Sequence, residues 1–245
     1  MKPSAIRPAP AGPICPAREG LFRPRQFDIP PSLVLVPHFS HGALRAGLEK
    51  KALRRQELLH SSWLWFENMA LISGFIGYPH LFTLLQRIAG LEEKNVYFLG
   101  SAGALGPRFD EPAAVQVVEI RPSSVFKRFS RARALPLKRF AGPAFPAVSG
   151  VSVDVVQRET PAWLAGQRSL RTDIVEMELF PLRCFLGRPF HALVVLSDRV
   201  LATGIRPFAA REKFHGEFAR AFQAITRCID HEEDHPDPPL PRRSR

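Results

Sequence analysis

The sequence has few cysteines and no apolar segment long enough to cross a bilayer. Cys15, Cys184 and Cys228 lie far apart and show neither metal-ligand spacing nor the density of a disulfide scaffold. Prolines interrupt each N-terminal stretch that could form the apolar core of a signal peptide. These absences argue against a membrane protein and a disulfide-rich secreted module. We expect a soluble protein of the reducing cytoplasm, without a membrane partner.

Acidic residues are scarce relative to basic ones, and the formal net charge is +11. Seven basic residues and no acidic one lie between Arg121 and Arg139, interleaved with Phe126, Phe129 and Phe140. This stretch fits either a solvated surface segment or a patch that contacts phosphates. No recognisable nucleic-acid module accompanies it, so a nucleic-acid partner is possible but not favoured.

Length and proline distribution predict one folded domain with two extended ends. The 245 residues suffice for a single large α/β domain. Residues 1–30 form a basic, proline-rich segment that we expect to be a flexible arm, and residues 231–245 are expected to be a disordered tail. The folded body is predicted to span residues 31–230.

Short apolar runs alternate with helical patterns along this body. Strands are predicted at 33–36, 95–99, 115–120, 147–153 and 191–196, and a β-hairpin at 63–66 and 69–72. Helices are predicted at 43–58, 78–89, 161–170 with Thr160 as N-cap, from near residue 177 with a kink at Pro181, and 209–229. The alternation predicts an α/β fold with three layers, α/β/α, around a central mixed sheet.

Three short stretches combine small and acidic residues at predicted element boundaries. They are Gly100-Ser-Ala-Gly103, Val175-Glu-Met-Glu178 and Leu196-Ser-Asp198. In open α/β sheets, ligands bind beyond the carboxyl ends of the strands. We therefore expect the three stretches to form one ligand site.

The order of these motifs resembles the nucleoside phosphorylase and nucleosidase superfamily, and is most similar to the methylthioadenosine/S-adenosylhomocysteine nucleosidase group. The likeness covers about residues 33–228 and includes Ile72-Ser-Gly-Phe-Ile-Gly77, similar to the family's glycine-containing loop after an early strand. The resemblance implies a nucleoside phosphorylase-like fold and cleavage of the N-glycosidic bond of a purine-type nucleoside. It also implies a homo-oligomer and no cofactor or metal.

The resemblance assigns roles to the acidic motifs. Glu178 matches the glutamate that accepts hydrogen bonds from the ribose hydroxyls, and Met177 matches the methionine that packs against the sugar. Asp198 matches the acid at the leaving base, and Ser197 is expected to orient it. The alternatives are a carboxylate at a helix N-terminus for Glu178, a core methionine, and a turn-capping Asp198.

Further residues match less distinctive positions of the family. Ser101, Ala102 and Gly103 match a loop whose backbone approaches the nucleoside, although a tight turn without a ligand explains them too. Glu176 is expected to accept hydrogen bonds from the nucleophile or from neighbouring amides. Asp154, within Gly150-Val-Ser-Val-Asp154, either contacts an amino group of a base or caps a turn.

The sequence differs from the family pattern at two places that would bind or activate the nucleophile. The segments Tyr97-Phe-Leu99 and Pro37-His-Phe-Ser40 lack the arginine and the phosphate loop of phosphorolytic members, which favours hydrolysis over phosphorolysis. The glutamate that activates water in hydrolytic members is also missing, because the first acidic residue after the first strand is Glu49. His38 and His41 are the candidate replacements, or else a structural histidine pair. The alternatives are a phosphorolytic enzyme that uses phosphate, and a catalytically inactive relative that binds a nucleoside or a polyanion.

Overall fold

The computed structural model describes residues 26–38, 42–58, 60–123, 125–128, 130, 132–140, 145–154 and 160–234. Within these ranges it contains eleven β-strands and five α-helices. The strands are β1 (Ser32–Val36), β2 (Arg54–Leu58), β3 (Ser61–Trp65), β4 (Met69–Ser73), β5 (Asn95–Ala104), β6 (Ala114–Pro122), β7 (Leu135–Pro136), β8 (Ala147–Ser152), β9 (Ile174–Glu176), β10 (His191–Leu201) and β11 (Gly204–Pro207). The helices are α1 (Gly42–Lys51), α2 (Gly77–Leu85), α3 (Pro161–Ser169), α4 (Leu179–Leu186) and α5 (Arg211–Asp234), with short 3-10 helices at Leu91–Glu93 and Phe126–Arg128.

All the described strands belong to one mixed sheet. At its centre β1 pairs in parallel with both β4 and β5. The predicted hairpin is confirmed, since β3 and β4 pair antiparallel, and β2 continues the meander at one edge. At the other edge β10 is paired antiparallel with β11.

Five strands in the second half of the sheet close into a ring. β5 pairs with β10, β10 with β6, β6 with β8, β8 with β9, and β9 with β5 again. Closure leaves these strands without a free edge at the paired positions. It also brings β5, β9 and β10 together, although they are far apart in the sequence.

Helices cover both faces of the sheet. Leu33 and Leu35 of β1 pack in the core cluster that contains apolar residues of α2 and α4. Val34 and Val36 pack in the cluster that contains apolar residues of α1 and α5. Because successive strand side chains point to opposite faces, a run buried on both sides is continuously apolar. The predicted three-layer α/β/α arrangement is confirmed.

The predicted helix at 43–58 is wrong in its second half. Helix α1 ends at Lys51, and residues 54–58 form β2, whose backbone pairs with β3. The sequence Arg-Arg-Gln-Glu-Leu favours a helix by composition, but charged side chains are also typical of an edge strand that is exposed on one side. Pairing with β3 therefore overrides local propensity.

Two further boundaries differ from the prediction. Pro181 lies at the third residue of α4, where its missing N–H has no acceptor within the helix, so no kink is needed. Strands β5 and β10 run through the Gly-Ser-Ala-Gly and Ser-Asp stretches instead of ending before them.

The described chain reaches into both predicted end segments. Phe27 is buried, and its backbone N–H donates to the Arg87 carbonyl at 2.6 Å. At the other end, α5 continues to Asp234. Among the described helices, none is long and apolar enough to cross a membrane.

Candidate active site

The three motif stretches lie side by side, where β5, β9 and β10 meet. In the parallel pairing of β10 with β5, Leu196 lies opposite Ala102 and Asp198 opposite Gly103. On the other side of β5, Gly103 lies opposite Val175 of β9. The expectation of one shared location is therefore met by the geometry of the sheet.

A cavity of about 300 Å³ opens at this junction. Of the residues singled out in the sequence, those that line it are His38, Ser101, Ala102, Gly103, Glu176, Met177, Glu178, Ser197 and Asp198. His41 lies outside the described residues, and Asp154 is not part of the lining. The cavity volume lies at the lower end of the range for small-molecule sites.

A β-bulge positions Asp198. The pairing register between β10 and β5 shifts between Leu196 and Asp198, so Ser197 is the extra residue. A bulge of this kind re-aims the side chains that follow it. The Ser197 hydroxyl lies 2.6 Å from Asp198 Oδ2 and 3.4 Å from the Ala102 carbonyl, so its proton is best placed to donate to the carboxylate. Burial raises the pKa of Asp198, and the hydrogen bond from Ser197 opposes that shift.

Gly103 provides the space that Asp198 occupies. A Cβ atom on Gly103 would lie 2.8 Å from Asp198 Oδ1 and 2.9 Å from Val200 Cγ2. Both distances are shorter than real Cβ contacts, so any side chain here would displace its neighbours. Gly103 is thus required by close packing within β5, and the predicted loop at residues 101–103 is in fact strand.

Glu176 is buried and accepts hydrogen bonds from its own chain. Its Oε2 atom accepts the backbone N–H groups of Glu178 and Leu179 at 2.6 and 2.7 Å, which satisfies donors at the start of α4. The Ser152 hydroxyl donates to Oε1. Of the two alternatives for Glu176, the structure shows neighbouring amides as its partners. Burial, and then the nearby Glu178 carboxylate, raise the pKa of Glu176 to about 8.

Ser152 was not singled out from the sequence. It ends β8, and its Oγ accepts the Phe180 N–H at 2.8 Å while its hydroxyl donates to Glu176. It therefore joins the end of β8 to the first turn of α4. The sequence gives no signal for this contact beyond its place at the end of a predicted strand.

Glu178 lies at the N-terminal end of α4 and also lines the cavity. Its side chain is 8% exposed, and Oε1 accepts the Gly77 N–H at 3.1 Å. Gly77 has a φ of +68°, a conformation that favours glycine, and it begins α2. Burial raises the pKa of Glu178, opposed by the backbone N–H of Gly77.

Met177 and His38 also line the cavity. Met177 is partly buried against the small core cluster that contains Val153 and Val175. His38 follows β1 at its carboxyl end and is exposed at the cavity. The described lining contains no lysine or arginine, so its ionisable side chains are three carboxyls and one imidazole.

The two described aromatic residues that accompany the basic 121–139 stretch are buried in the protein interior. Phe126 is fully buried and Phe140 is 9% exposed, whereas Phe129 lies outside the described residues. Buried rings are not available to stack on nucleic-acid bases. Arg121 pairs with Glu119 at 2.9 Å.

No family model and no curated protein matches this chain. Several solved structures do match it in fold. The purine nucleoside phosphorylase of Toxoplasma gondii, in complex with immucillin-H, superposes with a TM-score of 0.63 at 16% identity, over 85% of this chain and 94% of its own. The 5'-methylthioadenosine/S-adenosyl homocysteine nucleosidase of Campylobacter jejuni gives 0.60 at 15% identity, over 82% and 99%. The AMP nucleosidase of Bacteroides thetaiotaomicron gives 0.58 at 18% identity, over 81% and 90%.

The protein is an α/β protein whose cavity lies where strands from separate parts of the chain meet. More specifically, its fold is that of the nucleoside phosphorylase and nucleosidase superfamily. The resemblance seen in the sequence is confirmed at the level of the fold.

Proposed function

We propose that the protein is a nucleosidase that hydrolyses the N-glycosidic bond of a purine-type nucleoside. The observation that carries the proposal is the presence of Glu178 and Asp198 in one cavity, each half-buried or buried and each with a raised pKa. Solved nucleosidases and a phosphorylase that share the fold support the same reaction class.

The reaction places opposite charges at the two ends of the scissile bond. As the bond breaks, positive charge develops on the sugar and negative charge on the departing base. Asp198, whose pKa burial raises, is placed to act as the acid that donates a proton to the base. Glu178 accepts hydrogen bonds from the ribose hydroxyls and stabilises the cationic sugar electrostatically.

Water is the proposed nucleophile. A phosphate dianion needs cationic partners, and the described lining provides no lysine or arginine for it. A water molecule attacks the anomeric carbon, and the His38 imidazole, which lines the cavity, accepts its proton. The products are the free sugar and the neutral base. Asp198 ends the step as a carboxylate and His38 as an imidazolium, and proton exchange with solvent returns both groups to their starting states.

The deciding experiment is a nucleoside panel assayed for base release with and without phosphate. We expect phosphate-independent release of a purine together with the free sugar. A sugar 1-phosphate as product would instead establish phosphorolysis. No base release from any nucleoside, together with nucleoside binding, would indicate an inactive relative.

A variant of the proposed acid tests the chemical step. Asp198→Asn keeps the shape of the side chain but has no acidic proton to transfer to the base, so turnover should fall by about 10²-fold or more while nucleoside binding persists. Asp110→Asn, at an exposed position outside the cavity, is the matched control and should turn over at the wild-type rate. Equal activity in the Asp198 variant would refute the assignment.

A further inference from the structure

A second cavity lies where the chain leaves β5 and where it enters β9. Its volume is about 320 Å³. The segment 106–109, which follows β5, forms one wall, and the segment 168–173, from the end of α3 to the start of β9, forms the other. The Leu105 N–H donates to the Asp173 carbonyl at 2.8 Å and joins the two walls.

The lining of this cavity is strongly basic. Arg108, Arg168 and Arg171 contribute three positive charges, and Asp173 contributes one negative charge. The carboxyl end of α3 adds roughly half a negative charge from the helix dipole, which does not cancel the remaining two positive charges. The cavity therefore has the charge to hold a dianion.

An ion pair holds Arg108 and a hydrogen bond holds Arg168, which leaves the guanidinium of Arg171 available. Arg108 lies over the Phe109 ring and pairs with Asp173 at 3.6 Å. Arg168 Nε donates to the Leu105 carbonyl at 3.2 Å. Among the described residues, the structure gives the Arg171 guanidinium neither a hydrogen bond nor an ion pair, and it is exposed.

The position of Arg171 is itself well determined. Its φ of +54° is uncommon for a residue other than glycine. The Ser149 hydroxyl donates to its carbonyl at 2.9 Å, and Arg121 donates to the carbonyl of the preceding Leu170 at 2.6 Å. These contacts hold the backbone that carries the available guanidinium at the cavity rim.

We propose that this cavity binds a phosphate group, either as inorganic phosphate or as the phosphomonoester of a small molecule. Guanidinium groups match the oxygen geometry of phosphate in a bidentate manner. Pro107 and Phe109 add an apolar surface that an organic ester contacts and inorganic phosphate does not. The site is separate from the nucleoside cavity and does not depend on the proposed reaction.

The test is calorimetric titration of the full chain with inorganic phosphate and with phenyl phosphate at low salt. Arg171→Asn removes the available charge with a residue that tolerates positive φ, and Kd should rise at least about tenfold. Asp173→Asn removes the negative charge and retains an acceptor oxygen for the Ser149 N–H, so Kd should fall several-fold. Tighter binding of phenyl phosphate than of phosphate identifies an ester as the ligand.

The matched control is Arg227→Asn, which removes the same charge from an exposed position on α5 outside both cavities. It should bind phosphate like the wild type. Absence of phosphate binding in the wild type overturns the proposal. So does equal weakening by Arg227→Asn, which would show a response to total charge, and so does an Asp173→Asn protein that is folded but binds no more tightly.

Discussion

Replacing Glu176 with glutamine should make the protein more stable at pH 8 and make its free energy of unfolding fall less steeply with rising pH. Burial and the Glu178 carboxylate raise the pKa of Glu176 from 4.5 to about 8. Between these values the folded protein holds a proton that the unfolded chain has released. The contribution of this group to stability is therefore fully present below about pH 4.5 and is lost as the pH rises through about 8.

The expected change in the free energy of unfolding follows from the pKa shift of Glu176. One pKa unit corresponds to about 1.4 kcal/mol, so the complete titration is worth about 5 kcal/mol, and most of it falls between pH 5 and 8. Glutamine fits the same contacts. Its carbonyl oxygen accepts the N–H groups of Glu178 and Leu179, and its amide group donates to the second lone pair of Ser152 Oγ.

The measurement is urea unfolding of the wild type and Glu176→Gln at a series of pH values from 5 to 8. The wild-type free energy of unfolding should fall along the series more steeply than that of the variant. Glu212→Gln, at an exposed position on α5, is the control for loss of a carboxylate and should follow the wild type. The reasoning is refuted if the wild-type free energy of unfolding stays constant or rises from pH 5 to 8. It is also refuted if the free energy of unfolding of Glu176→Gln falls as steeply as that of the wild type.

Three further predictions concern the cavity and its supports. His38→Asn should lower base release by about 10²-fold with little change in nucleoside Kd, because asparagine cannot accept the proton of water, and an unchanged rate would exclude His38 as the base. Gly103→Ala should lower turnover by at least about tenfold because its Cβ would lie 2.8 Å from Asp198 Oδ1, whereas Gly106→Ala meets no atom within 4 Å and should be active. Thr160→Ala removes the cap of α3 and should lower the free energy of unfolding by about 1 kcal/mol in urea, while Thr160→Ser should restore it.

The buried strands and the helix cap were accessible from the sequence because their signals are local. A continuous apolar run identifies β1, and the Thr160-Pro161 pair identifies the start of α3. The lengths of β5 and β10 could not be predicted from the sequence. Glycine, serine and aspartate have low strand propensity, and these residues are held in strand form by pairing within the closed ring.

In the candidate site, too, local sequence motifs predict some of the residues, and tertiary contacts determine the others. Its acidic residues were found because each lies within a motif of consecutive residues. Their supports were missed, since Ser152 contacts Glu176 across 24 positions and Gly77 contacts Glu178 across 101 positions. Such partners depend on tertiary packing, and no periodicity or composition reports them.

The charge of the cavity gives a physical reason to prefer water over phosphate. Glu176, Glu178 and Asp198 share a lining without lysine or arginine among the described residues. At an effective dielectric constant of about 20, two unit charges about 4 Å apart interact by about 4 kcal/mol. Of these three groups, Glu178 is the one proposed to act as a carboxylate, and in its ionised form it repels an incoming phosphate by that order and attracts a cationic sugar equally. The same field that disfavours an anionic nucleophile favours the positive charge that develops on the sugar when the glycosidic bond breaks, and both effects agree with the proposed hydrolysis.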